Sequence, residues 1–145
     1  MCSKKWQQHE AVWAILRFLY IELNIFRLGT SGFKSFFLAL CKHEDFEERL
    51  SEFVVVTGGP CPRSPILEGC LRNCLLSELV SYLAPAFDFY EIGDPCLNRS
   101  KRQEMVPDNE GEKEAYEYLV KNIETVRRIL KKENVPVKRL ADELC

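Results

Sequence analysis

Seven cysteines and two histidines are the side chains of this 145-residue sequence best suited to bind a metal ion. Zinc sites usually contain cysteine pairs separated by two residues, a spacing that occurs nowhere in this sequence. The remaining candidate zinc ligands are Cys61, Cys70 and Cys74 with His43 or Cys96. Free cysteines are also common as small core residues. We therefore expect neither a metal ion nor a cofactor.

Nucleophilic catalysis requires a general base close to the nucleophile, and the only histidines are His9 and His43. Neither lies in a recognisable catalytic motif, and the sequence contains no Gly-x-Ser-x-Gly turn. The glycine pair at 58–59 leads into prolines, unlike the glycine-rich loops that bind phosphate at the start of a helix. The sequence therefore predicts a protein that is not an enzyme.

Basic residues cluster near the C-terminal end, although the whole chain has a net charge of −2. A cluster of this kind can bind the phosphates of nucleic acids, which is the alternative function that the sequence suggests. Lysines at the end of a helix also stabilise the helix dipole, and nearby acidic residues weaken the cluster. The candidate nucleic-acid contacts are Arg127, Arg128, Lys131, Lys132, Lys138 and Arg139.

Large apolar side chains are the candidate contacts for a protein partner, because aromatic residues often anchor interfaces. One candidate surface is a seam on the predicted C-terminal helix, where apolar residues alternate at spacings of three and four. Its contact residues are Tyr116, Leu119, Ile123 and Val126. The second candidate surface is the aromatic stretch that contains Phe87, Phe89 and Tyr90. Ordinary core packing is the competing interpretation of both.

The elements that position these residues are predicted to be helices. From Glu10 to Leu28 almost every residue is apolar, as is typical of a central, buried helix. The spacing of apolar residues and helix caps predicts helices over residues 8–28, 31–42, 45–56, 65–83, 110–133 and 137–144. The fold expected is all-α: a single-domain bundle of five to six helices, with a short extended segment in the aromatic stretch.

Changes in composition divide the chain into three parts. Residues 1–96 are predicted to form a helical core, and residues 97–112 a polar, mobile loop or linker. Residues 113–145 are expected to form an amphipathic helix and a short final helix, which pack on the core or on a partner. Two helix starts are also predicted, since Ser64 precedes a proline and Asn109 can cap the amphipathic helix.

The function expected from the sequence is that of a non-enzymatic protein–protein interaction module: an adaptor, an assembly subunit or a regulator. It would dock helices through an apolar groove or a helix face, and the partner is another protein or a second copy of the chain. Arg17, Glu22 and Arg27 interrupt the apolar N-terminal stretch and argue against a membrane span. An odd number of cysteines without a recognisable secretory signal favours the cytoplasm or the nucleus.

Overall fold

The computed structural model describes residues 5–53, 64–76, 81–82, 89–92 and 109–139. These ranges contain five helices and four short strands. In chain order the elements are α1 (Gln8–Glu22), β1 (Ile25–Gly29), α2 (Thr30–Lys42), α3 (Pro65–Leu76), β2 (Ser81–Tyr82), β3 (Phe89–Glu91), α4 (Glu110–Lys121), α5 (Ile123–Lys132) and β4 (Val137–Arg139).

The four strands form one antiparallel sheet in the order β2-β3-β1-β4. Leu28 of β1 lies opposite Tyr90 of β3 on one side and opposite Val137 of β4 on the other. The all-α prediction was therefore wrong, since the described residues combine helices with an antiparallel sheet. Strand β3 lies within the aromatic stretch that was expected to be extended.

The first predicted helix, residues 8–28, ends at Glu22 because the chain turns and then becomes a strand. Asn24 adopts the left-handed conformation, with φ of 60°, which stops the helix. The following residues pair with strands that are distant in sequence. A short apolar run fits a buried helix and a buried strand equally well, so its pattern alone did not distinguish the two.

The helices predicted for the middle of the chain agree with the structure only in part. Residues 44–53 form a series of turns rather than a regular helix, and residues 54–56 lie outside the described residues. Helix α3 begins at Pro65 as predicted but ends at Leu76, and the predicted helical residues Ser81–Tyr82 form β2. The helix predicted over 31–42 agrees with α2.

The C-terminal part also differs from the prediction. The helix expected over 110–133 is divided at Asn122 into α4 and α5, and β4 occupies the start of the predicted helix 137–144. Residues 140–144 and most of the predicted linker, residues 97–108, lie outside the described residues.

Both predicted helix starts are present. The Ser64 hydroxyl accepts a hydrogen bond from the Leu67 N–H at 3.3 Å, one turn into α3. The Asn109 side chain accepts from the Glu112 N–H at 3.2 Å and caps α4. These signals were readable in the sequence because each involves residues only three positions apart.

Helix α1 is the centre of the core and α4 packs directly on it. The Arg17 Nε lies 3.0 Å from a carboxylate oxygen of Glu112, and the rings of Phe18 and Tyr116 meet edge to face at 6.2 Å. The Tyr116 hydroxyl donates to the Glu22 carboxylate at 2.6 Å. Helix α4 thus contacts α1 through an ion pair, a ring contact and a hydrogen bond.

The connection between α5 and β4 packs closely on the start of α2. A Cβ atom added to Gly32 would lie 2.8 Å from Pro136 Cδ and 3.1 Å from Val135 Cγ1. The Gly29 N–H also donates to the Pro136 carbonyl at 2.8 Å. The proline ring is rigid, so the small size of Gly32 is what allows the two segments to approach each other.

We expect Gly32→Ala and Gly69→Ala to change stability in opposite directions. Both residues lie in helices, where alanine is favoured over glycine by about 0.5–1 kcal/mol. At Gly69 an added Cβ meets no atom within 4 Å, so this variant should gain that stability. At Gly32 the contact with Pro136 should produce a net loss of about 1–3 kcal/mol, typical of overpacking.

Urea denaturation of the two alanine variants beside the wild type measures this difference. A Gly32→Ala protein as stable as Gly69→Ala would contradict the close packing of Pro136 on α2.

Candidate functional site

The predicted seam residues lie inside the chain. Leu119 and Val126 are 0% exposed, Tyr116 is buried against α1, and Ile123 is partly buried against the core. Tyr90 is also buried, with its ring perpendicular to that of Phe33 at 6.1 Å. Phe87 lies outside the described residues, and for Phe89 only the backbone in β3 is described. The described seam residues therefore serve the core in this arrangement.

The basic residues, by contrast, are on the surface. Arg127, Arg128, Lys131 and Lys132 of α5 are exposed, as is Lys138 of β4. Arg139 pairs with Ile25 through the backbone, and its side chain lies outside the described residues. Five of the six residues of the alternative function therefore expose their side chains, four on α5 and one on β4.

Helix α5 has an apolar side and a basic side, because its residues alternate at helical spacing. Val126, Ile129 and Leu130 are buried against the rest of the chain. Successive residues are rotated by about 100° around a helix, so the opposite side carries the carboxylate Glu124 and the cations Arg128, Lys131 and Lys132. We call these three cations the basic crest of α5.

The end of α5 turns the chain back along the helix. Asn134 is left-handed, with φ of 52°, and its N–H donates to the Lys131 carbonyl at 3.2 Å. The Val135 N–H donates to the Leu130 carbonyl at 3.4 Å, which completes the Schellman pattern of a helix end. This turn places Val135 and then β4 beside α5 and beside the end of α1.

A groove of about 600 Å³ lies between the end of α1 and α5, and we call it the α1 groove. Its apolar lining consists of Leu23, Leu130, Val135 and Val137. Its polar lining consists of Glu22, Asn24, Arg127, Lys131 and Asn134. The α1 groove thus combines an apolar surface with two cations and one carboxylate.

Hydrogen bonding fixes the one carboxylate of the α1 groove. Glu22 accepts a hydrogen bond from the Tyr116 hydroxyl. Burial raises the pKa of Tyr116 well above its ordinary value, and the hydrogen bond and the negative charge of Glu22 raise it further. Tyr116 therefore remains a donor to Glu22 at neutral pH.

Arg127 lies 3.0 Å from Glu124, but both side chains are more than half exposed, so this ion pair is weak and can exchange for another partner.

A second groove, of about 550 Å³, lies between α2 and the other side of α5, and we call it the α2 groove. Its apolar lining consists of Leu38, Ala39 and Ile129. Its polar lining consists of Ser35, Lys42, His43, Lys132 and Glu133. Two cations and one carboxylate are again present beside an apolar surface.

The cysteine thiols with described side chains are poor nucleophiles. Burial raises the pKa of Cys41 to about 12, against the opposing effect of Lys42, and burial also raises the pKa of Cys70. A thiol must lose its proton to attack a substrate, so burial disfavours the reactive thiolate form of both cysteines. Among the described side chains, no three His, Cys, Asp or Glu residues come together as metal ligands.

Of the five candidate zinc ligands, the structure describes the side chains of two, His43 and Cys70. Cys61 and Cys96 lie outside the described residues, as does the side chain of Cys74. His43 lines the α2 groove, and its Nδ1 accepts a hydrogen bond from the Asp45 N–H at 3.1 Å. Cys70, on α3, is buried in the hydrophobic core of the protein.

The described helices include none with the combination of length and apolar character that a membrane crossing requires. Comparisons of the chain with protein-family models, with curated proteins and with solved structures found no match.

Sequence reasoning identified the cations of α5 but not the surfaces beside them. The α1 groove needs Leu23 and Asn24 from the end of α1, which lie about a hundred positions before α5. The α2 groove needs Leu38 and Ala39 from a helix predicted only as part of the core. Asn24 and Asn134 signal helix ends, but no local signal indicates that the two ends meet.

Proposed function

We propose that this chain is a non-enzymatic protein-interaction module, and that α5 with its two grooves binds an acidic, partly apolar segment of a partner protein. One observation carries the proposal: exposed cations lie between two grooves, each lined by three or four aliphatic residues beside polar and charged ones. Aliphatic surface favours burial of apolar side chains, and the cations favour neighbouring carboxylates.

The charge of α5 supports an acidic partner. The helix contains four cations, Arg127, Arg128, Lys131 and Lys132, against one carboxylate, Glu124, which gives a net charge of +3. The whole chain has a net charge of −2, so positive charge is concentrated on this helix. Lysines in the last turn stabilise the helix dipole, but Arg127 and Arg128 lie before that turn.

The apolar linings favour a peptide over the alternative function, nucleic-acid binding. A nucleic acid supplies phosphates for the basic crest but no aliphatic side chains for Leu38 and Ile129 in the α2 groove or for Val135 and Val137 in the α1 groove. The proposal also places the module in the cytoplasm or the nucleus, because seven cysteines suit a reducing compartment.

Fluorescence anisotropy with three labelled probes of equal length tests the proposal. The probes are an acidic peptide of glutamate, serine and leucine, the same peptide with lysine in place of glutamate, and a single-stranded oligonucleotide. We expect the acidic peptide to bind most tightly. Reversing two crest charges with Arg128→Glu and Lys132→Glu should weaken its binding about tenfold or more, since two exposed ion pairs are lost and replaced by repulsion.

Lys113→Glu provides the matched control, because Lys113 is exposed on α4 and lines neither groove. This variant should bind the acidic peptide like the wild type. Tighter binding of the oligonucleotide that is lost in the crest variant would support nucleic-acid binding instead. Equal binding of the acidic and lysine peptides would contradict the proposed function.

A further inference from the structure

The arrangement of the two grooves restricts the conformation of the segment that binds. Resting on the proposed function, we infer that the partner segment is an extended chain that crosses the basic crest, with one apolar side chain in each groove and a carboxylate between them.

The two grooves lie on opposite sides of α5. Arg127 and Leu130 line the α1 groove, whereas Ile129 and Lys132 line the α2 groove. At about 100° per residue, these two pairs lie on opposite flanks of the helix, with Arg128 between them on the exposed side. A single ligand that enters both grooves must therefore pass over the basic crest.

The width of α5 sets the spacing of the two apolar side chains. A helix with its side chains is about 10–12 Å across. An extended chain rises about 3.3 Å per residue, so residues four positions apart are separated by about 13 Å. Side chains at positions i, i+2 and i+4 of an extended chain point to the same face. The apolar residues thus occupy i and i+4, and an acidic residue at i+2 faces the crest.

An extended segment also fits the shape better than a helix does. The crest is convex, and a straight helix laid across it would contact the cations but enter neither groove. An extended chain can bend over the crest because its backbone dihedrals are less constrained. Its carboxylate at i+2 then meets Arg128, Lys131 or Lys132 while both leucine-sized side chains reach aliphatic surface.

Labelled peptides test the inference without altering the protein. The reference probe is an acidic peptide with two leucines four positions apart and a glutamate midway between them. Replacing either leucine with alanine should weaken binding about tenfold, as expected for removal of one buried side chain. Moving the leucines to three positions apart should weaken binding similarly, because one of them would then point away from its groove.

Variants that fill one groove at a time identify which groove each leucine enters. Val137→Phe narrows the α1 groove and Ala39→Phe narrows the α2 groove, while Val120→Phe is the matched control at an exposed position outside both. Each groove variant should weaken the reference peptide about tenfold. It should affect a single-leucine peptide only when the remaining leucine uses the filled groove.

The outcomes separate this inference from the proposed function. If single-leucine peptides bind as tightly as the reference while crest reversal still weakens binding, the acidic segment binds but does not cross α5, and the inference is wrong. If no acidic peptide binds, the proposed function fails with it. The peptide comparison decides the matter even if a phenylalanine variant fails to fold.

Discussion

Replacing Arg17 with methionine is expected to lower the free energy of unfolding by about 3–5 kcal/mol. The Arg17 guanidinium lies 3.0 Å from Glu112, whose side chain is only 6% exposed. Without the cation, the charge of the Glu112 carboxylate would be unpaired in a place that water scarcely reaches. Removal of one partner from a buried ion pair is costly for this reason.

The opposite replacement, Glu112→Gln, should cost less. The Arg17 side chain is 26% exposed, so the guanidinium can turn towards water when the carboxylate is removed. A double variant, Arg17→Met with Glu112→Met, should be more stable than Arg17→Met alone, because neither charge of this pair remains. Chemical denaturation followed by circular dichroism measures all three variants.

Arg127→Met is the matched control for Arg17→Met. Arg127 forms an ion pair of the same length, 3.0 Å, but its side chain is 51% exposed. This change should alter stability by no more than about 0.5 kcal/mol, as is usual for surface substitutions. Equal effects of the two arginine variants would show that the Arg17–Glu112 pair is not buried in solution.

The second large effect is expected for Phe33→Ala, which should destabilise the protein by about 3–5 kcal/mol. Phe33 is fully buried, and its ring lies 6.1 Å from each of the rings of Phe36, Phe37 and Tyr90. Alanine would leave a cavity where α2 packs on the sheet. Phe33→Leu, which fills most of that volume, should cost less than half as much.

A double-mutant cycle between Phe33→Leu and Tyr90→Leu tests whether the sheet packs on α2. The edge-to-face contact of the two rings predicts a coupling energy of about 0.5–1.5 kcal/mol. Val120→Ala, at an exposed position of α4, should change stability by no more than about 0.5 kcal/mol. Strictly additive effects of the Phe33 and Tyr90 changes would contradict the contact between α2 and β3.

The parts of the fold that depend on neighbouring residues were predictable. Helix α3 begins where Ser64 and Pro65 predict it, and α4 begins where Asn109 predicts it. The basic side of α5 follows from the helical spacing of its cations, which the sequence also displays. In each case the interaction that determines the structure spans only a few residues.

The strands depend on partners that no local pattern identifies. Leu28 pairs with Tyr90, and Ile25 pairs with Arg139. An apolar run such as the one before Gly29 has similar local preferences for helix and strand, so tertiary pairing decides its conformation. Val137 is a second example: a helix was predicted there, and the residue instead lies in β4 and pairs with β1.

The candidate site, too, was predictable only where its residues lie close together in sequence. Its cations lie close together in sequence and were recognised as exposed candidates, whereas the grooves combine the ends of α1 and α2 with α5. At the seam residue Leu119, helical spacing correctly indicates an apolar helix face. It does not indicate which element covers that face. In this chain α1 packs against it.

The central claim is that α5 and its two grooves form the binding surface, and mapping the bound acidic peptide by amide NMR tests it most directly. We expect the largest shift changes in residues 123–139, with further changes in residues 22–24 and 35–43, and little change at the start of α4 around Lys113. Shift changes that avoid α5, or spectra that do not change at millimolar peptide, would contradict this assignment.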